Sequence, residues 1–300
     1  MLEDLKKILI SENIRFEENV SLKRYTSFRT GGNCKIMVFP DTAEKVSVLL
    51  ANRGSLVYRL IGNGTNILAP DDPGDDVYIS SAGLSGISVD RENSTVYAYS
   101  GASLSRVSYL AYKNSLTGLE FAHGIPGSVG GGCVMNAGAY NEQLSDVITA
   151  TDYVSSDGQI KQVVGEEHMF GYRKSVFAAD DFVIGTAIAL RQGDKRLIKE
   201  KMNDLDTRRR NSQPLEMPSA GSTFKRPEGY FAGKLIEDAG LKGYALGGAK
   251  VSEKHAGFIV NFNNASSADI IALIDYVTET VNNKFGVILE PEVRIIQAGK

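Results

Sequence analysis

GIPGSVGGG, residues 124–132, places five glycines and one proline in nine positions. Glycine loses more conformational freedom on folding than any other residue, so a run this dense marks a costly, shaped loop. Such a loop lets the backbone approach a ligand and aims N–H groups at phosphate oxygens, and Ser128 adds a hydroxyl. A plain surface loop would not need Ile125 and Val129 alternating with glycine. The loop holds no lysine, which excludes a Walker A loop. A second glycine loop, Gly62-Asn63-Gly64-Thr65-Asn66, directly follows an apolar run that reads as a strand. It is not a Rossmann fingerprint: the third glycine would fall at Ile67, and Pro70 and Pro73 forbid a long helix soon after. Taken alone it reads equally well as a tight turn. Two phosphate-cradling loops in one chain point to a dinucleotide or a flavin nucleotide.

The rest of the chain sets the frame. Its 300 residues allow two or three domains, and 42% hydrophobic with 23% charged content is ordinary for a soluble globular protein. A net charge of -3 gives no general pull toward nucleic acid or anionic membrane. Cys34 and Cys133 belong to no C-x-x-C pair, and with three histidines a closed zinc site is not expected. A reducing compartment fits best, although the two cysteines could form one disulfide. MLEDLKKILISEN at the start has no apolar core, so no signal peptide is expected. No run approaches the roughly 20 apolar residues of a membrane helix. A cytoplasmic protein is expected.

Helices are expected from Thr42 with Val46, Leu49 and Leu50 inward, from Ser103, over 194–210 as a charge-rich junction between domains, over 230–239, and over 267–283. The last opens with Ser266-x-x-Asp269, and Ile270, Ile271, Ile274, Val277 and Val281 form its stripe. Strands are expected over 55–61, 77–81, 95–100, 182–191, 257–262 and 287–296, and on both sides of the Asp157-Gly158 turn within 148–164. Helices and strands mix without strict alternation, which argues for an α+β fold.

PSAGSTFKRP, residues 218–227, sets Ser222 behind a glycine and just before Lys225 and Arg226. It is not a nucleophile elbow, which reads G-x-S-x-G. Ser222-Thr223-Phe224-Lys225 fits S-x-x-K, but the companion S-D-N and K-T-G strings do not occur.

Together these pieces resemble the UDP-N-acetylenolpyruvoylglucosamine reductases. The resemblance runs through TSFRTGG from Thr26, GNGTNIL from Gly62, GIPGSVGG from Gly124, MNAGAY from Met135, Tyr172-Arg173, SAGSTFKRP from Ser219 and EPEVR from Glu290. The short forms of PSAGSTFKRP and of Lys254–Phe258 look like the family's second subtype. The resemblance implies a two-domain PCMH-type FAD-binding fold plus a third α+β substrate-binding domain. The expected limits are 1–82 and 83–203 for the two flavin lobes and 204–300 for the substrate domain, its last strand carrying Glu292 back to the active site. It implies FAD and NADPH as cofactors and UDP-N-acetylglucosamine-enolpyruvate as the small-molecule substrate. No metal, nucleic acid, membrane or obligate protein partner is expected.

The resemblance assigns catalysis to Ser222 as proton donor, with Arg173 and Glu292 at the developing enolate. It implies a raised pKa for Glu292, because a glutamate beside a carboxylate helps only if it carries or relays a proton. Flavin contacts fall to Gly62, Asn63, Gly64, Thr65, Asn66, Ile67, Gly124, Ile125, Pro126, Gly127, Ser128, Gly130, Gly131, Asn136 and Gly138. Tyr140 and His255 match positions turned toward substrate, and Lys225, Arg226 and Lys234 are the cations expected near its diphosphate.

Each catalytic candidate also has a plain reading. Arg173 alone is more often a surface ion-pair residue, and Ser222 more often a loop hydroxyl capping a turn. Glu292 sits in the alternating run VILEPEVRII, where it shares with Arg294 the face opposite Val293 and Ile295, usually the solvated one. Asn141 stands where the family usually has glycine, so a different loop conformation is expected there. Two rivals remain at this stage: a sugar or lactone oxidase holding flavin covalently through His123 or Cys133, and a flavin-binding protein without turnover.

Overall fold

The computed structural model describes residues 1–297. The chain divides into two compact units, one of Met1–Glu18, Ile36–Asn63 and Asp76–Arg208, the other of Asn19–Lys35, Gly64–Asp75 and Arg209–Lys300.

The first unit carries two sheets. One has four strands in the order Arg15–Ser21, Asn33–Phe39, Val77–Ser80, Tyr58–Ile61, and Val77–Ser80 pairs in parallel with both neighbours. Helix Ala43–Ala51, capped by the Thr42 hydroxyl, makes the crossover from Asn33–Phe39 to Tyr58–Ile61, the two strands that flank Val77–Ser80. Its Val46, Leu49 and Leu50 are buried against Val38 and Ile79 of the sheet. The second sheet is antiparallel, with five strands in the order Ile160–Val164, Ile148–Val154, Phe182–Ala189, Thr95–Tyr99, Ile87–Asp90. Helix Leu104–Lys113, capped by Ser103, and the short helix Val129–Val134 share its core with Val96, Phe121 and Ile188.

The second unit packs helices Ala232–Asp238 and Ser267–Phe285 with a small antiparallel sheet, Ala245–Leu246, Ala249–Val251 and Ile259–Asn261. The long helix starts at a full capping box of Ser266 and Asp269 and stops at Gly286, whose φ of 68° ends it in the left-handed region. Its buried stripe is Ile270, Leu273, Ile274, Val277 and Val281. Leu273 takes the central place expected for Ile271, which is only partly buried.

The strand expected over 287–296 is not one strand. Within it only Arg294–Ile295 forms a strand, in parallel with Ile67–Leu68, and Pro291 makes a single antiparallel bridge to Phe224. Pro291 has no N–H to give a ladder. The segment instead changes partner part-way: Lys225 N–H donates to Glu290 O at 2.8 Å and Glu292 N–H to Thr223 O at 2.8 Å, whereas Arg294 N–H donates to Asn66 O at 3.0 Å. Smaller corrections trim the strands at 55–61 and 257–262 to Tyr58–Ile61 and Ile259–Asn261.

Both cysteines are free and buried, so the open question of a disulfide is answered against one. Burial pushes the Cys34 thiol up to about 11 and the Cys133 thiol up to about 12. Neither should react with a water-soluble disulfide reagent in the native protein, and both should after denaturation. A thiol titrated within minutes in native buffer would contradict this burial.

Candidate active site

In the first unit the two glycine loops meet. Asn63 donates its side-chain N–H to Pro126 O at 3.1 Å. A Cβ on Gly62 would lie 2.3 Å from Ser128 Oγ, and one on Gly130 would lie 2.8 Å from Ser100 Cβ. Only bare backbone fits there. The loop is not irregular throughout, because Ser128 caps helix Val129–Val134, its Oγ accepting from Gly131 N–H at 3.3 Å. Val129 and Gly130 N–H go to Ala102 O and Ser100 O, both at 2.8 Å. Those three N–H groups are spent inside the protein, as is that of Ile125 on Ala122 O, and Pro126 has none, which narrows the main-chain donors of residues 125–131 to Gly127 and Ser128.

Two buried polar atoms beside these loops have no hydrogen-bond partner among the described residues: Ser100 Oγ and His123 Nδ1. Native proteins rarely leave such groups orphaned. A phosphate-bearing cofactor along the joined loops would supply the missing partners, so these residues fit FAD. Sequence reasoning missed Ser100; a serine ending a strand carries no signal of its own. Covalent flavin through Cys133 does not fit, since its Sγ is fully buried 3.5 Å from Thr151 Oγ1.

Asn136 is fixed internally. Its amide donates to Gln143 Oε1, Ser145 Oγ and Gly171 O at 3.1, 3.4 and 3.2 Å, and accepts from Ser145 N–H at 2.9 Å. Any flavin contact at Asn136 is left to its main chain. Gly138 and Ala139 pair with Gln143 and Glu142 in a two-residue hairpin whose turn is Tyr140-Asn141. Both turn residues have positive φ, 57° and 67°. Asn141 therefore adopts the conformation a glycine would take there, at the low cost asparagine pays. The Tyr140 hydroxyl donates to Leu205 O at 3.1 Å. Arg173 sits in a tight turn closed by Gly171 and Lys174, with φ of 57°. A bulky residue held in this region signals strain imposed by its surroundings. Its guanidinium reaches Gly138 O at 3.3 Å and lies 5.2 Å from the Tyr172 ring centroid.

In the second unit three segments converge. Thr223 donates its N–H to Gly257 O at 2.9 Å, and its hydroxyl accepts Ile259 N–H at 3.0 Å. Its carbonyl accepts Glu292 N–H, so Ser222 and Glu292 occupy adjoining places on paired backbone. Gly221 before Ser222 has φ of 78° with nothing within 4 Å of where a Cβ would stand, and Ser222 is exposed. His255 belongs to the same cluster. Gly257 N–H donates to its Nδ1 at 3.1 Å, which puts the ring proton on Nε2. Burial holds its pKa below the ordinary 6.5, keeping the ring neutral at pH 7.

The expected cations are less available. Lys225 pairs with Glu290 at 2.9 Å and Lys234 with Asp238 at 2.6 Å, while Arg226 stacks 4.0 Å from the Phe231 centroid. The hydrogen bond to Asp238 also raises the Lys234 pKa.

The second glycine loop continues into this unit. Gly64 has φ of 61°, and a Cβ on it would lie 1.8 Å from Tyr25 O. Ser27 N–H donates to Gly64 O at 3.1 Å. TSFRTGG and GNGTN thus occur together because one packs against the other. Thr65 and Ile67 are half-buried, and the Asn66 amide donates to Glu292 O at 3.2 Å. Among the described residues no cluster of His, Cys, Asp and Glu could hold a metal ion, and no helix is long and apolar enough to cross a membrane.

The comparisons with known proteins agree with this layout. An FAD binding domain matches residues 34–163, and the C-terminal domain of UDP-N-acetylenolpyruvoylglucosamine reductase matches residues 213–296. The protein of that name from Clostridium novyi is 48% identical over 295 residues, 97% of this chain and 95% of that one. The Caldanaerobacter subterraneus protein is 42% identical over 299 residues, 99% and 98% of the two chains. The crystal structure of the enzyme from Thermus caldophilus superposes with a TM-score of 0.82 at 31% identity, covering 95% of this chain and all of that one. Phl p 4.0202, a glucose dehydrogenase, matches 64% of this chain and 44% of its own at 16% identity, TM-score 0.52, a likeness of fold alone and of the PCMH type. The glycine loops, the α+β architecture and relatives matching nearly end to end lead to one conclusion: the chain belongs to the UDP-N-acetylenolpyruvoylglucosamine reductase family, FAD-binding oxidoreductases of peptidoglycan synthesis.

Proposed function

We propose that the protein reduces the enolpyruvyl group of UDP-N-acetylglucosamine-enolpyruvate to the lactyl ether with NADPH as reductant, giving UDP-N-acetylmuramate. The observation that supports the residue roles is the main-chain bond from Glu292 N–H to Thr223 O, which holds the segment that carries Glu292 against the one that carries Ser222. FAD, when bound, supplies the relay of hydride from NADPH to substrate.

Hydride added to the terminal carbon of the enol ether breaks the C=C π bond and leaves an electron pair delocalised toward the substrate carboxylate. Arg173 meets that charge with a planar fork suited to a carboxylate. Glu292, in its protonated form, adds a donor to the enolate. Ser222 then gives its proton to the neighbouring carbon, forming the second C–H bond. A hydroxyl is a weak acid, but an enolate carbon is basic enough to take its proton. Neutral His255 offers Nε2–H to a substrate oxygen, and Tyr140, Lys225, Arg226 and Lys234 serve the rest of the UDP-sugar. On this reading residues 1–82 and 83–203 hold the flavin and 204–300 hold the substrate.

Anaerobic flavin spectroscopy tests the reading. NADPH should bleach the yellow protein, and UDP-N-acetylglucosamine-enolpyruvate should restore the colour with formation of UDP-N-acetylmuramate. A flavin that stays reduced until oxygen enters would discard the substrate and favour an oxidase.

A further inference from the structure

We propose that Asn66, a residue of the glycine loop, is a positioning residue for Glu292. The inference rests on the role of Glu292 proposed above. Strand Ile67–Leu68 runs parallel to Arg294–Ile295, with Arg294 N–H on Asn66 O and Ile296 N–H on Leu68 O, both at 3.0 Å. Continued by one step, a parallel ladder would send the Asn66 N–H to Glu292 O. The Asn66 side chain makes that bond instead, Nδ2 to Glu292 O at 3.2 Å. The substitution releases the main-chain N–H of Asn66 from the ladder and still anchors the Glu292 carbonyl.

Glu292 is thus held on both sides of its Cα. Its N–H goes to Thr223 O at 2.8 Å and its C=O to Asn66. Two such bonds restrict φ and ψ together, and so restrict the direction of the Cα–Cβ bond that carries the carboxyl. Pro291 just before it and the change of partner just after it offer no regular ladder to do this. Asn66 is itself anchored, because Gly64 is wedged against Tyr25 and Ser27. The loop therefore acts on the substrate half of the reaction by aiming the acid, in addition to any contact with flavin.

The test uses Asn66→Ala, Glu292→Gln and the double variant, each saturated with FAD and followed anaerobically through both half-reactions. Asn66→Ala keeps the main-chain bond from Arg294 and loses only the side-chain donor. With FAD saturating, reoxidation by substrate should slow about 10- to 100-fold more than bleaching by NADPH does, the range of a misplacement near 1 Å. In the Glu292→Gln background the same change should add no more than about twofold, because the acid it aims is gone. Asn66→Asp, which keeps the shape and removes the donor, should behave like Asn66→Ala, and provides the test if the alanine variant does not fold. Equal slowing of both halves, loss cured by extra FAD, or an undiminished penalty in the Glu292→Gln background would each overturn the proposal. A Glu292→Gln single variant with normal reoxidation would overturn the role of Glu292 itself, and the proposal with it.

Discussion

Ser222→Ala is expected to keep a yellow, folded protein that NADPH bleaches at the normal rate, while return of colour with substrate slows by about 10²- to 10⁴-fold, the usual contribution of a positioned acid. The reason for the split is local. The bonds that hold this backbone, Thr223 N–H to Gly257 O and Glu292 N–H to Thr223 O, involve main-chain atoms that the substitution leaves alone. Ser222 is exposed and follows Gly221, whose conformation is unaffected by the side chain after it. On the proposed mechanism, what disappears is one O–H at the step that ends the enolate. Rapid-mixing absorbance of each half-reaction gives the result directly. Comparable slowing of bleaching and reoxidation would remove Ser222 from the proton-donor role.

Gly64→Ala is expected to be the most damaging single-methyl change in the loops. An alanine at φ of 61° costs about 1–2 kcal/mol by itself. The added Cβ would also stand 1.8 Å from Tyr25 O, a backbone atom that cannot rotate away. The Tyr25–Ser27 turn would have to move, and the total loss should reach about 3–5 kcal/mol, at the far end of point substitutions. A fall in Tm of roughly 5–10 °C with loss of bound flavin is the expected reading by calorimetry and absorbance. Gly54→Ala is the control: φ there is 56°, yet nothing lies within 4 Å of the new Cβ. It should cost only the conformational term. Equal losses in the two variants would show that close approach at Gly64 is not the cause.

Much of this chain could be read without coordinates because its signals are local. A helix start depends on residues three apart, so Ser266 and Asp269 announce the last helix as clearly as the structure shows it. A backbone that must bend left-handed or pass close to another needs glycine, so the loops at 62 and 124 are visible as composition. Seven short motifs in one order carry the family, and with it the flavin.

The tertiary structure decided what local pattern cannot encode. An alternating apolar run implies a strand only if a neighbour pairs with it. VILEPEVRII had the alternation, yet Pro291 and two different partners reduce it to a pair of strand residues. The three asparagines near the flavin loops looked alike as amides for a ligand. Asn63 and Asn66 instead spend their side chains on the carbonyls of Pro126 and Glu292, and Asn136 spends its own on the Gln143 and Ser145 side chains, Ser145 N–H and Gly171 O. An amide binds whichever unsatisfied carbonyl folding brings nearest, and that neighbour is set by long-range packing. Motif and spacing therefore determined the family and the candidate residues, while remote hydrogen bonding, set by long-range packing, decided which of their side chains are bound within the protein.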